Sequence, residues 1–231
     1  MTIAPPTGHT DSKPDGAVWR AYLPGAAGLA YIVAWAVGLG AWPVNLALNA
    51  TAAQAAASYR AHPAGATVQY LLVEGLAGVL LGIVLACVLR AARDRVGGRA
   101  TGPAALSAIA VITSLSQCVI GLFAVAAATS GHVAACGSLS DLVNRLDGVK
   151  MLALAAAAAW LALSGPALPR WLRSLAVPLG LALIASGYAY LTLSNALAWT
   201  AYVSGPLLLL WVAGAGVALT VRRRRSGRGT S

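Results

Sequence analysis

The sequence predicts an all-α membrane protein, a bundle of six transmembrane helices with short amphipathic helices in the outer loops. Hydrophobic residues make up 59% of the 231 residues and charged residues only 10%, whereas about a quarter of a soluble domain is charged. Six apolar stretches each approach the roughly 20 residues that a spanning helix needs. They are Tyr22–Trp42, Val68–Leu89, Pro103–Ala128, Val149–Ser164, Leu175–Ser194 and Ala201–Val221.

The domain organisation follows from these stretches. Residues 1–18 are polar and rich in proline, which predicts a disordered cytoplasmic N-terminus without a cleavable signal peptide. Residues 19–221 are expected to form the six-span domain, and residues 222–231 a basic cytoplasmic tail. The first span opens near Trp19 and Tyr22 and closes at Trp42, which matches the aromatic belts of a membrane interface.

The basic residues predict the orientation of the bundle. Of the 16 lysines and arginines, only Arg60, Arg145 and Lys150 lie in the loops of one parity. The rest lie at the two termini and in the alternate loops, so the positive-inside rule places both termini in the cytoplasm. This distribution also explains the net charge of +10 without nucleic acid, and the tail suits anionic lipid. The bias towards Ala, Gly and Arg indicates a bacterial cytoplasmic membrane.

Two outer loops are predicted to contain helices. Residues Leu46–Ala61 are Ala-rich and are stopped by Pro63. In the second loop, Ser138–Asp141 fits a capping box, and the amphipathic helix that it begins runs into the fourth span. A flexible loop with Gly131 and Gly137 is expected before it. Trp199–Tyr202 is predicted to be a tight hairpin between the last two spans.

Glu74 is an isolated acid within the second apolar stretch. A charge at membrane depth costs several kcal/mol unless it is paired, hydrated or protonated, so it indicates a function or a partner. At helical spacing Glu74 shares a face with Tyr70, Gly78 and Gly82. The last two form a GxxxG pattern that allows close helix packing, so Glu74 is expected to face the protein interior.

Other polar residues are predicted at a similar depth and could converge with Glu74 on a cavity. One hypothesis is a ligand or proton site in which Glu74 is the catalytic acid. The alternative is a structural Glu74–Lys150 ion pair that fixes helix register. The candidate ligand-binding residues are Gln69, Tyr70, Gln117, Asp147, Lys150, Tyr188 and Asn195, with Tyr190 nearby.

The histidines limit the chemistry. His9, His62 and His132 all lie outside the predicted spans, which disfavours a bis-histidine haem and an intramembrane Ser–His protease. His132 and Cys136 are four residues apart, but no tight ligand spacing accompanies them. We therefore expect no metal and no cofactor.

The segment Asn144–Gly180 contains two short motifs that resemble those of a known protein family. An Asn-Arg-x-Asp-x-x-Lys entry to a span, followed by a Leu-Pro-Arg-Trp-Leu return loop, is similar to a family of uncharacterised six-span integral membrane proteins of actinobacteria, a domain-of-unknown-function group. The resemblance implies the same architecture and no established activity. It makes Asn144, Asp147, Lys150, Pro169 and Trp171 family-typical positions.

Three functions stay open from the sequence. The first is a protein without chemistry of its own that binds or senses a small or lipophilic ligand, or assists a membrane partner. The second is an intramembrane enzyme on a lipophilic substrate, in which Glu74 supplies a proton as in terpene cyclases. The third is a proton-coupled transporter or an ABC permease subunit. The expected partners are the bilayer and a small lipophilic ligand, with a membrane protein or a second copy of the chain as further candidates.

Overall fold

Helices account for nearly all of the computed structural model, which describes residues 16–42, 46–96, 101–163 and 168–228. No strand occurs in these ranges. A π-helical segment, Tyr70–Leu76, precedes α4, and a 3₁₀ segment, Asn195–Thr200, precedes α8. The α-helices are α1 (Gly16–Ala41), α2 (Ala52–Ala61), α3 (Pro63–Gln69), α4 (Ala77–Val96), α5 (Thr101–Thr129), α6 (Val133–Leu163), α7 (Arg170–Thr192) and α8 (Ala201–Arg228).

Six helical segments of the described chain are long and apolar enough to cross a membrane, which confirms the predicted fold class. The second span combines α3, the π-helical segment and α4, and the sixth combines the 3₁₀ segment with α8. Many large apolar side chains on these helices are exposed, among them Ile112 and Leu181. Such a surface suits hydrocarbon rather than water, so the protein is a multi-pass membrane protein.

The spans form a closed ring in chain order. Each span packs on the next one along the chain, and α8 returns to pack on α1. Two close approaches hold neighbouring helices together. A Cβ at Gly28 of α1 would lie 3.0 Å from Ala213 Cα of α8, and a Cβ at Gly148 of α6 would lie 2.7 Å from the Gly187 carbonyl of α7. Small residues at these crossings let the backbones approach, as membrane bundles require.

The predicted contact of the GxxxG face is confirmed. A Cβ at Gly78 would lie 3.0 Å from Ser114 Oγ, and a Cβ at Gly82 would lie 3.3 Å from Val111 Cγ2. Both partners belong to α5, so this face of the second span looks at protein.

The two ends of the bundle differ. The α2 end is the end on which α2 packs across α5 and α6. The arginine end is the opposite end, where α4 finishes, α7 begins and α8 finishes. Its described arginines are Arg90, Arg93, Arg170, Arg173, Arg222, Arg223, Arg224 and Arg225.

The first predicted outer helix begins later than Leu46. Residues 46–50 form a turn in which the Ala50 N–H donates to the Ala47 carbonyl at 2.9 Å. The helix α2 starts at Ala52 because Thr51 caps it in a reciprocal capping box with Gln54. Composition predicts a helix throughout the Ala-rich stretch, but the Thr51 cap sets the residue at which the helix begins.

The second predicted outer helix runs into the fourth span as expected, but it begins earlier than Ser138. Ser138 lies inside α6, which runs without interruption from Val133 to Leu163, so the capping box predicted at Ser138 is wrong. Gly137 is also helical, and a Cβ there would collide with Ala52 of α2. The glycine therefore serves a close helix contact instead of the flexible loop that the sequence suggested.

The turn between the last two spans lies earlier than predicted. Leu193, with φ 52°, ends α7 in the left-handed conformation, and its N–H donates to the Ala189 carbonyl. Residues 199–202 are already helical, spanning the end of the 3₁₀ segment and the start of α8, so the hairpin predicted at Trp199–Tyr202 is wrong. The sequence did not predict this turn, because Leu193 occupies the left-handed position at the helix end where glycine or asparagine is usual.

Candidate functional site: a buried ion triad beside a polar cavity

Glu74 lies in the π-helical segment Tyr70–Leu76 of the second span. A π-turn inserts an extra residue, and such turns occur often at functional sites. Gly75 of this segment also faces α5, where its Cβ would lie 3.1 Å from Cys118 Sγ. The helical spacing predicted for this span is that of an uninterrupted α-helix, so the π-helical segment was not predicted.

Lys150 of α6 joins two carboxylates in an ion triad with Glu74 and Asp147. Its Nζ lies 2.7 Å from Glu74 Oε2 and 2.6 Å from Asp147 Oδ1. The side chains of Lys150, Glu74 and Asp147 are only 9%, 12% and 16% exposed. The predicted Glu74–Lys150 ion pair is therefore formed, and it links the second and fourth spans.

Ser114 of α5 completes the surroundings of Glu74. Its Oγ lies 2.9 Å from Glu74 Oε2 and 3.0 Å from the Glu74 carbonyl oxygen. Glu74 thus accepts from an ammonium and from a hydroxyl, and both contacts favour the charged carboxylate. A carboxylate held in this way acts as an acceptor, so the geometry supports the structural interpretation of Glu74 over that of a proton donor.

A cavity of about 200 Å³ lies against the triad at the α2 end. It reaches Glu74 and Asp147, and its other lining residues are mostly polar or aromatic. The structure brings Gln69, Tyr70, Gln117 and Tyr190 of the predicted set to this cavity. The remaining lining residues are Trp42, Leu46, Ala47, Leu48, Ala50, Tyr59, Val73, Ser140, Asp141, Val143 and Asn144.

Two glutamines in the lining have buried oxygens without a hydrogen-bond partner, Gln69 Oε1 and Gln117 Oε1. Gln117 is 1% exposed, and its Nε2 donates to the Val143 carbonyl at 3.1 Å. That bond fixes the amide and leaves its oxygen without a protein donor. An unsatisfied buried acceptor costs free energy, so it indicates a group that the protein itself does not supply.

Three aromatic residues, Trp42, Tyr59 and Tyr70, form the wall under α2. Tyr59 of α2 and Tyr70 share a hydrogen bond of 2.7 Å between their hydroxyls, and the Trp42 ring lies 5.0 Å from that of Tyr59. Burial raises the pKa of the Tyr59 hydroxyl above its ordinary value. The bond between the two hydroxyls ties α2 to the second span and holds it over the cavity.

Two residues of the predicted set lie elsewhere. Tyr188 is 58% exposed on α7 and does not line the cavity. Asn195 instead fastens the turn after α7 to the residues before α2. Its Nδ2 donates to Asn49 Oδ1 at 2.5 Å, and its Oδ1 accepts from the Leu48 N–H at 2.9 Å.

Several residues of the site were not assigned to it from the sequence. Ser114 and Tyr59 are ordinary polar residues in helices, and nothing in the sequence pattern around them indicates that they belong to the site. Ser140 and Asn144 recur with the predicted Asp147 at i, i+4 and i+7 along α6, which places all three on one face. That polar stripe is the pattern in the sequence that indicates the lining contributed by α6.

The fold and the site together define a multi-pass α-helical membrane protein with a polar cavity inside its bundle. Comparison of the chain with protein families, with characterised proteins and with solved structures gave no match. The similarity to the actinobacterial six-span family therefore stays an expectation from the sequence.

Proposed function

We propose that this membrane protein binds a small cationic ligand, of the alkylammonium class, in the cavity at the α2 end and carries out no chemistry of its own. The observation that carries the proposal is the buried, unpartnered Gln117 Oε1 in a cavity that also reaches two carboxylates. A binding or sensing role fits this arrangement because its groups recognise a ligand without activating one.

The charge of the site favours a cation. With all three groups ionised, the triad carries one ammonium and two carboxylates, a formal charge of −1, and Asp141 lines the same cavity. A net negative charge in surroundings of low dielectric attracts a positive ligand. The aromatic rings of the wall, among them Tyr59 and Tyr70, add faces on which a cation can lie.

The lining offers acceptors for the hydrogen atoms of such a ligand. Gln69 Oε1 and Gln117 Oε1 are buried without donors. An ammonium group brings three donors and no acceptor. At about 200 Å³ the cavity is smaller than the usual pockets for drug-sized molecules, so the ligand is a short ion.

The cavity faces outward in this proposal. The predicted positive-inside orientation supports it, because the arginine end carries most of the basic residues and would lie in the cytoplasm. The α2 end would then open to the exterior of a bacterial cytoplasmic membrane. A ligand could reach the site without crossing the bilayer.

Calorimetry on the detergent-solubilised protein tests the proposal. The probes are methyl- to butylammonium ions, with alcohols of the same chain length as neutral controls. We expect saturable binding of at least one ammonium ion and none of its alcohol. Binding that is equal for ion and alcohol, or absent for the whole series, contradicts the proposal.

A pair of variants on α5 assigns the binding to the cavity. Gln117→Leu removes the unpartnered oxygen at similar volume and is expected to weaken ammonium binding by about tenfold or more, the loss of one good hydrogen bond to a charged group. Thr113→Val is the matched control, because Thr113 Oγ1 donates within its own helix to the Ile109 carbonyl. Equal weakening in both variants would contradict the assignment.

A further inference from the structure

A second concave feature lies at the arginine end, between the start of α7 and the second half of α8. Its volume is about 880 Å³. Its wall is apolar and includes Trp171, Val217 and Val221, which are 52%, 42% and 44% exposed. This groove is separate from the cavity at the α2 end, and the proposed ligand site does not use it.

The groove is shaped by a close contact across the two helices. A Cβ at Gly214 of α8 would lie 2.5 Å from Trp171 Cη2 and 3.0 Å from Leu172 Cδ2. The absence of a side chain at Gly214 thus makes room for the indole. Trp171 forms the wall of the groove in a defined position instead of projecting freely.

Arginines line the mouth of the groove. Arg170 and Arg173 come from the first turn of α7, and Arg225 from the end of α8, with Arg222 beside it. Arg173 Nε is buried without a hydrogen-bond partner. The first turn of α7 also carries the positive end of the helix dipole. The three acidic side chains that the structure describes, Glu74, Asp141 and Asp147, all belong to the cavity at the other end.

The groove has an apolar trough inside the spanning region and a cationic mouth at its end. These two features together match a molecule with an anionic head and an apolar chain. We propose that the groove binds an anionic glycerophospholipid, with its phosphate at Arg170, Arg173 and Arg225 and an acyl chain along Trp171, Val217 and Val221. Arginine guanidinium groups bind phosphate by paired hydrogen bonds. The buried Arg173 Nε gains an acceptor from the phosphate, and the aromatic ring lies at headgroup level.

The charge and position of the groove favour a lipid over a free phosphate ion. An inorganic phosphate would satisfy the arginines but leave the apolar trough unfilled. Basic pockets between transmembrane helices are recognised sites for acidic lipid headgroups. Both halves of the groove are used only when the phosphate and the acyl chain belong to the same molecule.

Native mass spectrometry of the full-length protein tests the proposal. The delipidated protein is titrated with dioleoylphosphatidylglycerol, with dioleoylphosphatidylcholine as the zwitterionic control. We expect one phosphatidylglycerol to be retained with clear preference, and excess inorganic phosphate not to displace it. Equal retention of the two lipids, or displacement by inorganic phosphate, overturns the proposal.

Matched variants locate the bound lipid. The double change Arg170→Gln with Arg173→Gln is expected to weaken phosphatidylglycerol retention by about fivefold or more, from the loss of two cations at an anionic contact. Arg90→Gln with Arg93→Gln removes the same charge at the same end of the bundle but outside the groove, and it should leave retention unchanged. Equal weakening in the two double variants means that retention follows net charge alone and overturns the proposal.

A groove-filling variant tests the acyl-chain half independently. Val217→Trp fills the trough from an exposed position and should abolish the preferential retention of phosphatidylglycerol. Val119→Trp on α5 makes the same change at another exposed position, 53% exposed, and should have no effect. Full retention in Val217→Trp overturns the placement of the chain.

Discussion

Single residues decide whether the charges inside this bundle are tolerated. Glu74 is conspicuous in the sequence because an acid in an apolar span needs a partner or a function, and Lys150 is the candidate partner. Ser114 could not be identified in the same way, since a serine in a membrane helix usually bonds its own backbone. Its role follows only from the contact between the second and third spans, which no single-helix pattern contains.

Ser114→Ala tests this residue directly. The change removes the hydroxyl whose single hydrogen lies within reach of both Glu74 Oε2 and the Glu74 carbonyl oxygen. We expect a loss of about 1.5–3 kcal/mol, as for a hydrogen bond to a charged group, measured by unfolding in mixed micelles. Ser107→Ala is the control, because Ser107 lies buried on the same helix and its Oγ has no hydrogen-bond partner. A loss of equal size in the control would show that the contact with Glu74 contributes nothing.

At the scale of elements, composition predicted which segments are helical better than it predicted where each helix begins and ends. All six spans were placed, but α2, α6 and the turn at Leu193 differ from the prediction. In each case a local feature decided the outcome, namely the Thr51 cap, the contact between Gly137 and α2, and the left-handed residue after α7. The π-helical segment around Glu74 leaves no compositional trace, because any apolar sequence can carry it.

Gly82→Leu tests the contact between the second and third spans. A side chain at Gly82 meets Val111, so we expect an overpacking loss of about 1–3 kcal/mol. Gly40→Leu is the matched control, because a Cβ there has no neighbour within 4 Å. Equal stability of the Gly82→Leu protein and the Gly40→Leu protein in thermal unfolding would mean that α4 does not pack on α5 along this face.

At the scale of the whole molecule, the ring of six spans has an acidic end and a basic end. A polar, acidic cavity lies at the α2 end, and the arginines lie at the opposite end. Hydropathy and charge distribution predicted the number of spans and the basic end. The cavity could be predicted only as a convergence of polar residues, because its lining comes from several spans whose relative rotation the sequence leaves open. Tyr188 and Asn195 show this, since both were predicted to line the cavity and neither does.

Cysteine labelling tests the orientation of the molecule. In a protein whose native cysteines are replaced, Arg60→Cys and Arg145→Cys should react with a membrane-impermeant maleimide added to intact cells. Arg93→Cys and Arg225→Cys should react only after the cells are opened. The physical reason is the concentration of basic residues at the arginine end, which the positive-inside rule retains in the cytoplasm. The reverse labelling pattern would place the cavity on the cytoplasmic side.

The ion triad is the feature that gives Glu74 its structural role, and a double-mutant cycle of Glu74→Gln and Lys150→Met measures it most directly. Lys150→Met leaves Glu74 and Asp147 without their shared cation, so it should be the more damaging single change, with a loss of about 3–5 kcal/mol. Glu74→Gln alone should cost less, because Asp147 still pairs with Lys150 at 2.6 Å. Glu74→Gln added to Lys150→Met should recover part of the loss, with a coupling energy of roughly 1 kcal/mol or more. Strictly additive losses, or a Glu74→Gln protein as stable as the parent, would contradict the structural role of Glu74.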